Sequence, residues 1–310
     1  NALKRAYIFA GSAVFPYSLT FGIFGVVALV HGIHSQTGNG NDITSLVAAH
    51  YMPSVLALPF LGFVPATSRE EGPLYMFSES RAVVAESYRT IRTGVLLSAA
   101  EERRLQVIVV TSSAPGEGKT TTSANLAVAM AQMGERVLII DTDMRRHNLH
   151  HTFSMDNLVG ISDCIVDHKN IEAAVRGVRG VENLAIITGG TMPPNPSELL
   201  GSNSMRELLR TLRERYDRII MDSPPMMLFS DPLVIAKLAD GVILVVKAGD
   251  TSRDVIRKTG QSLTAVQARI IGTVLNNVDV EKQASSYYYS PYYGSYYGSE
   301  KGKKAEKRTG

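Results

Sequence analysis

A glycine-containing segment that follows an apolar run has the residues needed to bind phosphate. It reads Ser113-Ala114-Pro115-Gly116-Glu117-Gly118-Lys119-Thr120, between a predicted strand and a predicted helix. This is the Walker A pattern with a serine in place of its first glycine. The two glycines let backbone N–H groups turn toward an anion, the lysine can reach phosphate oxygens, and the threonine can ligate Mg²⁺. A plain glycine turn that caps a helix is the alternative.

Three aspartates follow two further apolar runs. Asp141 and Asp143 come after residues 138–140, and Asp222 comes after residues 219–221. The carboxyl ends of parallel strands converge where ligands bind. Such acids can also cap the next helix, but beside a phosphate-binding loop they predict a cation site with one acid left to accept a hydroxyl proton. The predicted Mg²⁺ ligands are Thr120, Asp141, Asp143 and Asp222.

Alternation of apolar runs with helical patterns sets the fold. The predicted strands are residues 105–111, 136–141, 184–188, 218–222, 241–246 and 270–275. Strands separated by helices indicate an α/β fold, a P-loop NTPase-like parallel sheet with helices on both faces and right-handed crossovers. Apolar residues at helical spacing predict a further helix at residues 80–99, leading into this domain.

The N-terminal region is apolar. Residues 6–32 contain no Asp, Glu, Lys or Arg and exceed the ~20 residues that cross a bilayer, which predicts a transmembrane helix. A signal peptide and a buried helix are the alternatives. Lys4 and Arg5 precede the run and no Lys or Arg follows until residue 69, so the positive-inside rule would place the N-terminal side in the cytoplasm. Because the Walker A pattern downstream indicates a domain that uses a nucleotide such as ATP, we instead expect that domain to be cytoplasmic.

Five regions follow along the chain. Residues 1–5 are expected to end a preceding region, 6–32 to span the membrane, 33–78 to form a linker with one strand near 55–64, 79–282 to form the catalytic domain, and 283–310 to form a flexible tail.

The composition argues against a nucleic-acid-binding protein and against sites built from several cysteines. The net charge is +3, and the last eleven residues account for that excess, so the body is near neutral and no nucleic-acid groove is expected. The single cysteine, Cys164, excludes an internal disulfide and a cysteine-based metal cluster.

The three acidic and glycine-containing segments together resemble the Walker A, A′ and B motifs of the bacterial tyrosine kinases, or BY-kinases. The A′ form, Asp-x-Asp-x-Arg, is similar to Asp141, Asp143 and Arg145, and the B form, Asp-Ser-Pro-Pro, to residues 222–225. Glu86, Arg89 and Arg92 resemble the oligomerisation motif Glu-x-x-Arg-x-x-Arg of this family. The tail resembles its tyrosine cluster, and the resemblance runs from roughly residue 1 to 300.

The resemblance implies an ATP- and Mg²⁺-dependent autokinase that phosphorylates tail tyrosines in trans within a head-to-tail ring. Lys119, Asp141 and Asp143 would be catalytic, with Asp141 preferred as the proton acceptor, while the phosphates would lie against residues 113–121, including Thr121. The phosphoacceptors would be Tyr287, Tyr288, Tyr289, Tyr292, Tyr293, Tyr296 and Tyr297.

The resemblance also implies a setting in the bacterial inner (plasma) membrane. Residues 6–32 would be the second helix of a hairpin around a periplasmic domain, and the kinase would act in the assembly and export of extracellular polysaccharide. Expected partners are a cognate protein tyrosine phosphatase and the polymerase or export machinery.

Some roles stay open at this point. A MinD/ParA-like positioning ATPase is the nearest rival, but such proteins carry a lysine where this chain has Ala114. A small-molecule kinase or simple ATPase explains neither the apolar run nor the tyrosine tail. Arg145 and Arg146 could pair with phosphate, with the acids or with surface groups. By analogy with related P-loop folds, Asn276 and Asn277 could contact adenine.

Overall fold

A computed structural model describes residues 58–67, 72–77, 82–98 and 105–279. The predicted membrane span at 6–32 and the tyrosine-rich tail lie outside the described residues. None of the helices within these ranges is long and apolar enough to cross a membrane.

Eight strands form one sheet in the order β1-β8-β7-β2-β6-β3-β5-β4. All described pairings are parallel except that of β4 with β5. The strands are β1 (Phe60–Pro65), β2 (Val107–Ser112), β3 (Val137–Asp141), β4 (Arg176–Gly177), β5 (Leu184–Ile187), β6 (Arg218–Asp222), β7 (Gly241–Lys247) and β8 (Ile270–Val278).

Helices connect these strands, as parallel pairing requires. They are α1 (Ala82–Ser98), α2 (Lys119–Ala131), α3 (Leu149–Thr152), α4 (Ile161–Val166), α5 (Ile171–Ala174), α6 (Pro196–Gly201), α7 (Asn203–Arg215), α8 (Asp231–Ala236) and α9 (Arg253–Ala265). Short 3₁₀ turns occur at Tyr75–Phe77 and His168–Asn170.

The core lies on both faces of the sheet. Ile108 and Val110 of β2 pack in a cluster with residues of α1 and α2. Val107 and Val109 pack in a second cluster with residues of α4, α7 and α8. Successive strand residues point to opposite faces, so a central strand covered on both faces must be apolar throughout. The predicted doubly covered parallel sheet is therefore confirmed.

The six strands predicted from residue 105 onward differ from the observed ones by at most three residues at an end, whereas the strand predicted near 55–64 begins five residues later, at Phe60. Two differences affect the domain and its site. The strand expected near 55–64 is β1, which pairs with β8, so the sheet begins before the predicted domain boundary at residue 79. Strand β8 continues to Val278, which places Asn276 inside a strand rather than after one.

Candidate functional site

The phosphate-binding segment is a loop between the end of β2 and the start of α2. Gly116 and Gly118 have φ angles of 77° and 93°, in the region that favours glycine. A Cβ atom on Gly118 would lie 1.9 Å from Nδ2 of Asn276. That amide nitrogen donates a 2.9 Å hydrogen bond to the carbonyl oxygen of Glu117. Asn276 therefore fixes the end of the loop, and a side chain at position 118 would displace its amide group from Glu117.

Glu117 braces the loop from inside. The residue is 2% exposed, and its Oε2 accepts a 2.7 Å hydrogen bond from the backbone N–H of Ala114. Its other carboxylate oxygen accepts a hydrogen bond from the Thr251 hydroxyl, in the loop between β7 and α9. Because a carboxylate would repel phosphate, we assign the side chain of Glu117 a structural role, in which it holds the phosphate-binding loop to the loop between β7 and α9. Sequence reasoning placed it only among the loop residues.

Ser113 links the loop to two neighbouring elements. Its hydroxyl accepts a 2.9 Å hydrogen bond from Thr259 of α9. Its carbonyl oxygen accepts a 3.0 Å bond from the backbone N–H of Met227, in the loop after β6. Serine at this position, instead of the glycine of the Walker pattern, thus contributes a side-chain contact.

The first turn of α2 faces the acids. Lys119 opens the helix and is 8% exposed, with its Nζ 4.0 Å from Oδ2 of Asp143. The first turn contains no acidic residue. An N-terminal turn with free N–H groups, a lysine and no acid of its own favours an anion.

Asp141 and Asp222 end adjacent strands and lie side by side in the register of β3 and β6. Oδ1 of Asp222 accepts a 3.0 Å hydrogen bond from Ser123 of α2, and Thr120 also contacts this carboxyl group. Oδ2 of Asp222 is buried with no hydrogen-bond partner among the described residues. A buried acid oxygen without a partner, beside a threonine hydroxyl, fits a hard cation such as Mg²⁺.

The other two acids differ in their surroundings. Asp141 is 0% exposed; its Oδ1 accepts a bond from the backbone of Asp143, and its Oδ2 accepts bonds of 3.2 and 3.1 Å from Asn148 and Leu149. Asp143 accepts a 3.0 Å bond from the backbone of Arg146 and keeps Oδ2 toward Lys119. Asp141 therefore shapes the turn after β3, while Asp143 faces the phosphate-binding helix.

Burial dominates the electrostatics of this cluster. It raises the pKa of Asp222 to about 6, against the opposing effect of Lys119. Burial, and then the charge of Asp222, raise the pKa of Asp141 well above its usual value. Burial also raises the pKa of Asp143, which Lys119 opposes. Three carboxyl groups share one lysine, so their ionisation is unfavourable without further positive charge, which a divalent cation would supply.

Arg145 makes an ion pair within the fold. Its Nε donates a 2.8 Å bond to Oδ2 of Asp231, a fully buried acid at the start of α8, and its guanidinium lies 4.5 Å from the ring centroid of Phe229. Of the alternatives left open for Arg145, the structure shows pairing with an acid outside the Walker motifs. Arg146 and Asn277 are exposed.

The three residues that resemble the oligomerisation motif separate into two groups. Glu86 and Arg89 form an exposed ion pair at 2.9 Å on α1. Arg92 instead points inward, where its Nη1 donates a 2.9 Å hydrogen bond to the carbonyl oxygen of Ala129 on α2. We expected all three residues to contact a neighbouring subunit, but Arg92 makes a contact within its own subunit.

A phosphate-binding loop between a central strand and a helix, with acids at the ends of the next two strands, defines a P-loop nucleotide-binding protein. Residues 105–276 match the family model described as an AAA domain.

The chain is similar to several tyrosine kinases. It is 35% identical over 222 residues to the Tyrosine-protein kinase YwqD of Bacillus subtilis, covering 72% of this chain and 93% of that protein. The crystal structure of the chimerical protein CapA2B2 superposes with a TM-score of 0.69 and 32% identity, covering 76% of this chain and 99% of that one. The kinase domain of Escherichia coli tyrosine kinase ETK gives a TM-score of 0.66 at 29% identity over 76% and 95% of the two chains.

The chain belongs to the bacterial tyrosine kinase family. It is a tyrosine-protein kinase, and this membership decides against the MinD/ParA-like alternative.

Proposed function

We propose that this kinase transfers the γ-phosphate of ATP to tyrosines of its own tail, between subunits of a head-to-tail ring, and so regulates the assembly and export of extracellular or capsular polysaccharide. The observation that carries the phosphoryl-transfer site is the buried oxygen of Asp222, beside Thr120 and Lys119, that has no hydrogen-bond partner in the described part of the chain. Phosphoryl transfer asks a protein mainly for positioning and charge neutralisation, and these groups supply both.

Each residue has a role in this proposal. Lys119 and the backbone N–H groups of residues 116–121 hold the phosphates. Thr120, Asp222 and Asp143 hold Mg²⁺, which when bound neutralises charge on the transferred phosphoryl group. The amide nitrogen of Asn276 already binds Glu117, so its Oδ1 is the atom that we assign to the amino group of adenine.

The proton of the tyrosine hydroxyl also needs an acceptor, because an unperturbed tyrosine has a pKa of about 10. We propose Asp141 for this role, since Asp143 faces the ammonium group of Lys119. Asp141 is fully buried, and two backbone N–H groups of the turn at 148–149 bind its Oδ2. The proposal therefore requires that this turn moves when the substrate enters.

The cellular arrangement is part of the same proposal. The apolar run at 6–32 supports a transmembrane helix, the second of a hairpin that follows a periplasmic domain ending at residues 1–5. The kinase domain would then extend from the linker at 33–78 into the cytoplasm, at the plasma membrane. A tyrosine phosphatase and the polysaccharide polymerase or export machinery would be its partners.

An anti-phosphotyrosine blot of the purified chain tests the activity. Incubation with Mg·ATP should produce phosphotyrosine, and EDTA should prevent it. ATP hydrolysis without any phosphotyrosine would contradict the proposed transfer to its own tyrosines.

A further inference from the structure

Residues 72–77 form a strap across the helix that follows the phosphate-binding loop. The strap ends in the 3₁₀ turn Tyr75–Phe77. Met76 is 8% exposed and packs in the core cluster that contains α1 and α2, and Leu74 and Tyr75 pack partly buried against that cluster. This part of the predicted linker is thus docked on the kinase fold.

One side chain of α2 holds the strap. Asn125 is 0% exposed, and its Oδ1 accepts hydrogen bonds from the backbone N–H groups of Tyr75 at 2.7 Å and Met76 at 3.1 Å. Its Nδ2 donates to the carbonyl oxygens of Pro73 and Thr121, both at 2.8 Å. An asparagine side chain offers two donors and two acceptor sites, and all four are used here.

Asn125 links the strap to the first turn of α2. Thr121 lies in the first turn of α2, directly after Lys119 and Thr120, so the same amide group binds the strap and the turn that faces the phosphates. Asparagine is also the one polar residue in the otherwise apolar stretch at 124–131. Three of the four bonds go to the strap, and a buried polar residue on a helix is retained only with such partners.

The strap also contacts the elements around it. The ring of Tyr75 stacks on that of Tyr88 of α1, with centroids 6.3 Å apart and an interplanar angle of 19°. Its hydroxyl lies 2.9 Å from Oγ1 of Thr67, just after β1. The strap therefore joins the edge of the sheet, α1 and the phosphate-binding helix.

We propose that Asn125 is a positioning residue that couples the strap to the nucleotide site. A docked strap favours the phosphate-binding arrangement of the first turn of α2, and bound nucleotide in turn holds the strap. The coupling must be reciprocal, because it is a free energy shared by two sites. An event that acts on the residues before the strap would then change nucleotide affinity. This inference rests on the proposed nucleotide site.

Titration of the full chain in detergent with a fluorescent ADP analogue and Mg²⁺ tests the coupling. Asn125→Ala should weaken binding about five- to tenfold, a typical allosteric coupling. Asn125→Asp puts a buried carboxylate oxygen against the carbonyl oxygens of Pro73 and Thr121, which it cannot bind, so its affinity should fall at least as far as that of Asn125→Ala. Val128→Ala opens a cavity in the same helix but keeps the amide group of Asn125 and its four hydrogen bonds, and should bind like the wild type.

Hydrogen exchange gives a second test that needs no variant. Saturating Mg·ADP should slow exchange in the peptide containing the N–H groups of Tyr75 and Met76 at least threefold. An unchanged exchange rate would overturn the coupling. So would an Asn125→Ala chain that loses strap protection yet binds nucleotide like the wild type, since the strap would then be only a structural cover. Failure of the wild-type chain to bind would instead overturn the proposed nucleotide site, and the coupling with it.

Discussion

Arg92 Nη1 donates a 2.9 Å hydrogen bond to the carbonyl oxygen of Ala129, so an arginine predicted to lie in an oligomerisation motif binds the phosphate-binding helix of its own subunit. The last carbonyl groups of a helix lack partners within the helix and carry partial negative charge. Helix α2 has no basic residue in its last turn, and Arg92 of α1 supplies one. In the same way, Arg269 donates a 2.7 Å bond to Ser98 at the end of α1.

We predict that Arg92→Ala lowers the free energy of unfolding by about 1.5–3 kcal/mol, because a hydrogen bond to a charged group is lost. The double variant Glu86→Ala, Arg89→Ala should change stability by less than about 1 kcal/mol, as expected for an exposed pair, yet should shift the oligomer toward monomer. Denaturant unfolding and analytical ultracentrifugation measure the two effects. Equal stability of Arg92→Ala and the wild type would contradict the role of Arg92 in stabilising the end of α2.

Gly118→Ala should be more harmful than Gly116→Ala. Both positions have positive φ, so each alanine meets a backbone strain of about 1–2 kcal/mol. At Gly118 the new Cβ meets Nδ2 of Asn276 at 1.9 Å, whereas at Gly116 no atom of the described part of the chain lies within 4 Å. Thermal unfolding of the nucleotide-free proteins should show the larger loss for Gly118→Ala. Equal losses would mean that Asn276 moves aside freely.

The sequence was sufficient to predict the central strands and the phosphate-binding loop. Strands buried on both faces are continuous apolar runs, and the loop depends on local residues such as Gly118 and Lys119. Spacing could also have separated Arg92 from Glu86: six residues on a helix turn by about 600°, which leaves the two side chains about 120° apart. The resemblance to the motif treated the three residues as one group, which this spacing does not support.

Other features depend on tertiary packing between segments distant in sequence. The strap contacts Asn125, which lies about fifty residues later in the sequence. No periodicity in residues 72–77 predicts that contact. An asparagine within an apolar helix was the available clue. The bond between Glu117 and Thr251 is similar, because it joins loops that only the completed sheet brings together.

Lys119→Met should abolish tyrosine phosphorylation while the domain stays folded. The ammonium group lies 4.0 Å from Asp143 and takes no part in the apolar core, so its loss removes the positive partner of the phosphates rather than packing. An anti-phosphotyrosine blot and circular dichroism of the purified variant check both parts. A normal phosphotyrosine signal would refute the role of this lysine.

Asp222→Asn should stabilise the metal-free protein at high pH. The folded-state pKa of Asp222 is about 6 against an ordinary 3.8, so folding favours its protonated form. The stability that the protonated Asp222 contributes is fully present below pH 3.8 and is lost as the pH rises through 6. The asparagine variant avoids this loss and should be about 3 kcal/mol more stable than the wild type at pH 8 in EDTA.

The comparison should reverse when ligand is present. At pH 4 the metal-free wild type and Asp222→Asn should differ little, since the acid is then mostly protonated. At pH 8, Mg²⁺ with ADP should raise the melting temperature of the wild type but not of the variant, because asparagine offers the cation no charge. A stability difference that is independent of pH would show that Asp222 does not titrate in the folded protein.

The last prediction concerns the tyrosine-rich segment. Deletion of residues 285–299 should remove nearly all autophosphorylation while sparing nucleotide binding and the oligomer, because the Walker residues and α1 are untouched. Phosphopeptide mapping of the intact chain is the check. Most of the phosphate found outside this segment would reject the tail as the main acceptor.

Phosphorylation of this segment should also loosen the oligomer. Each phosphate adds about −1.5 to −2 charges at neutral pH, so seven modified tyrosines would add roughly −10 to −14. The basic end of the chain supplies only Lys301, Lys303, Lys304, Lys307 and Arg308. Repulsion within and between the tails of neighbouring subunits would then oppose their ordered docking, more strongly at low salt because less of it is screened. Sedimentation at low ionic strength should show smaller species after incubation with Mg·ATP and recovery of the oligomer after phosphatase treatment. A phosphorylated oligomer as stable as the unmodified one under those conditions would reject this cycle.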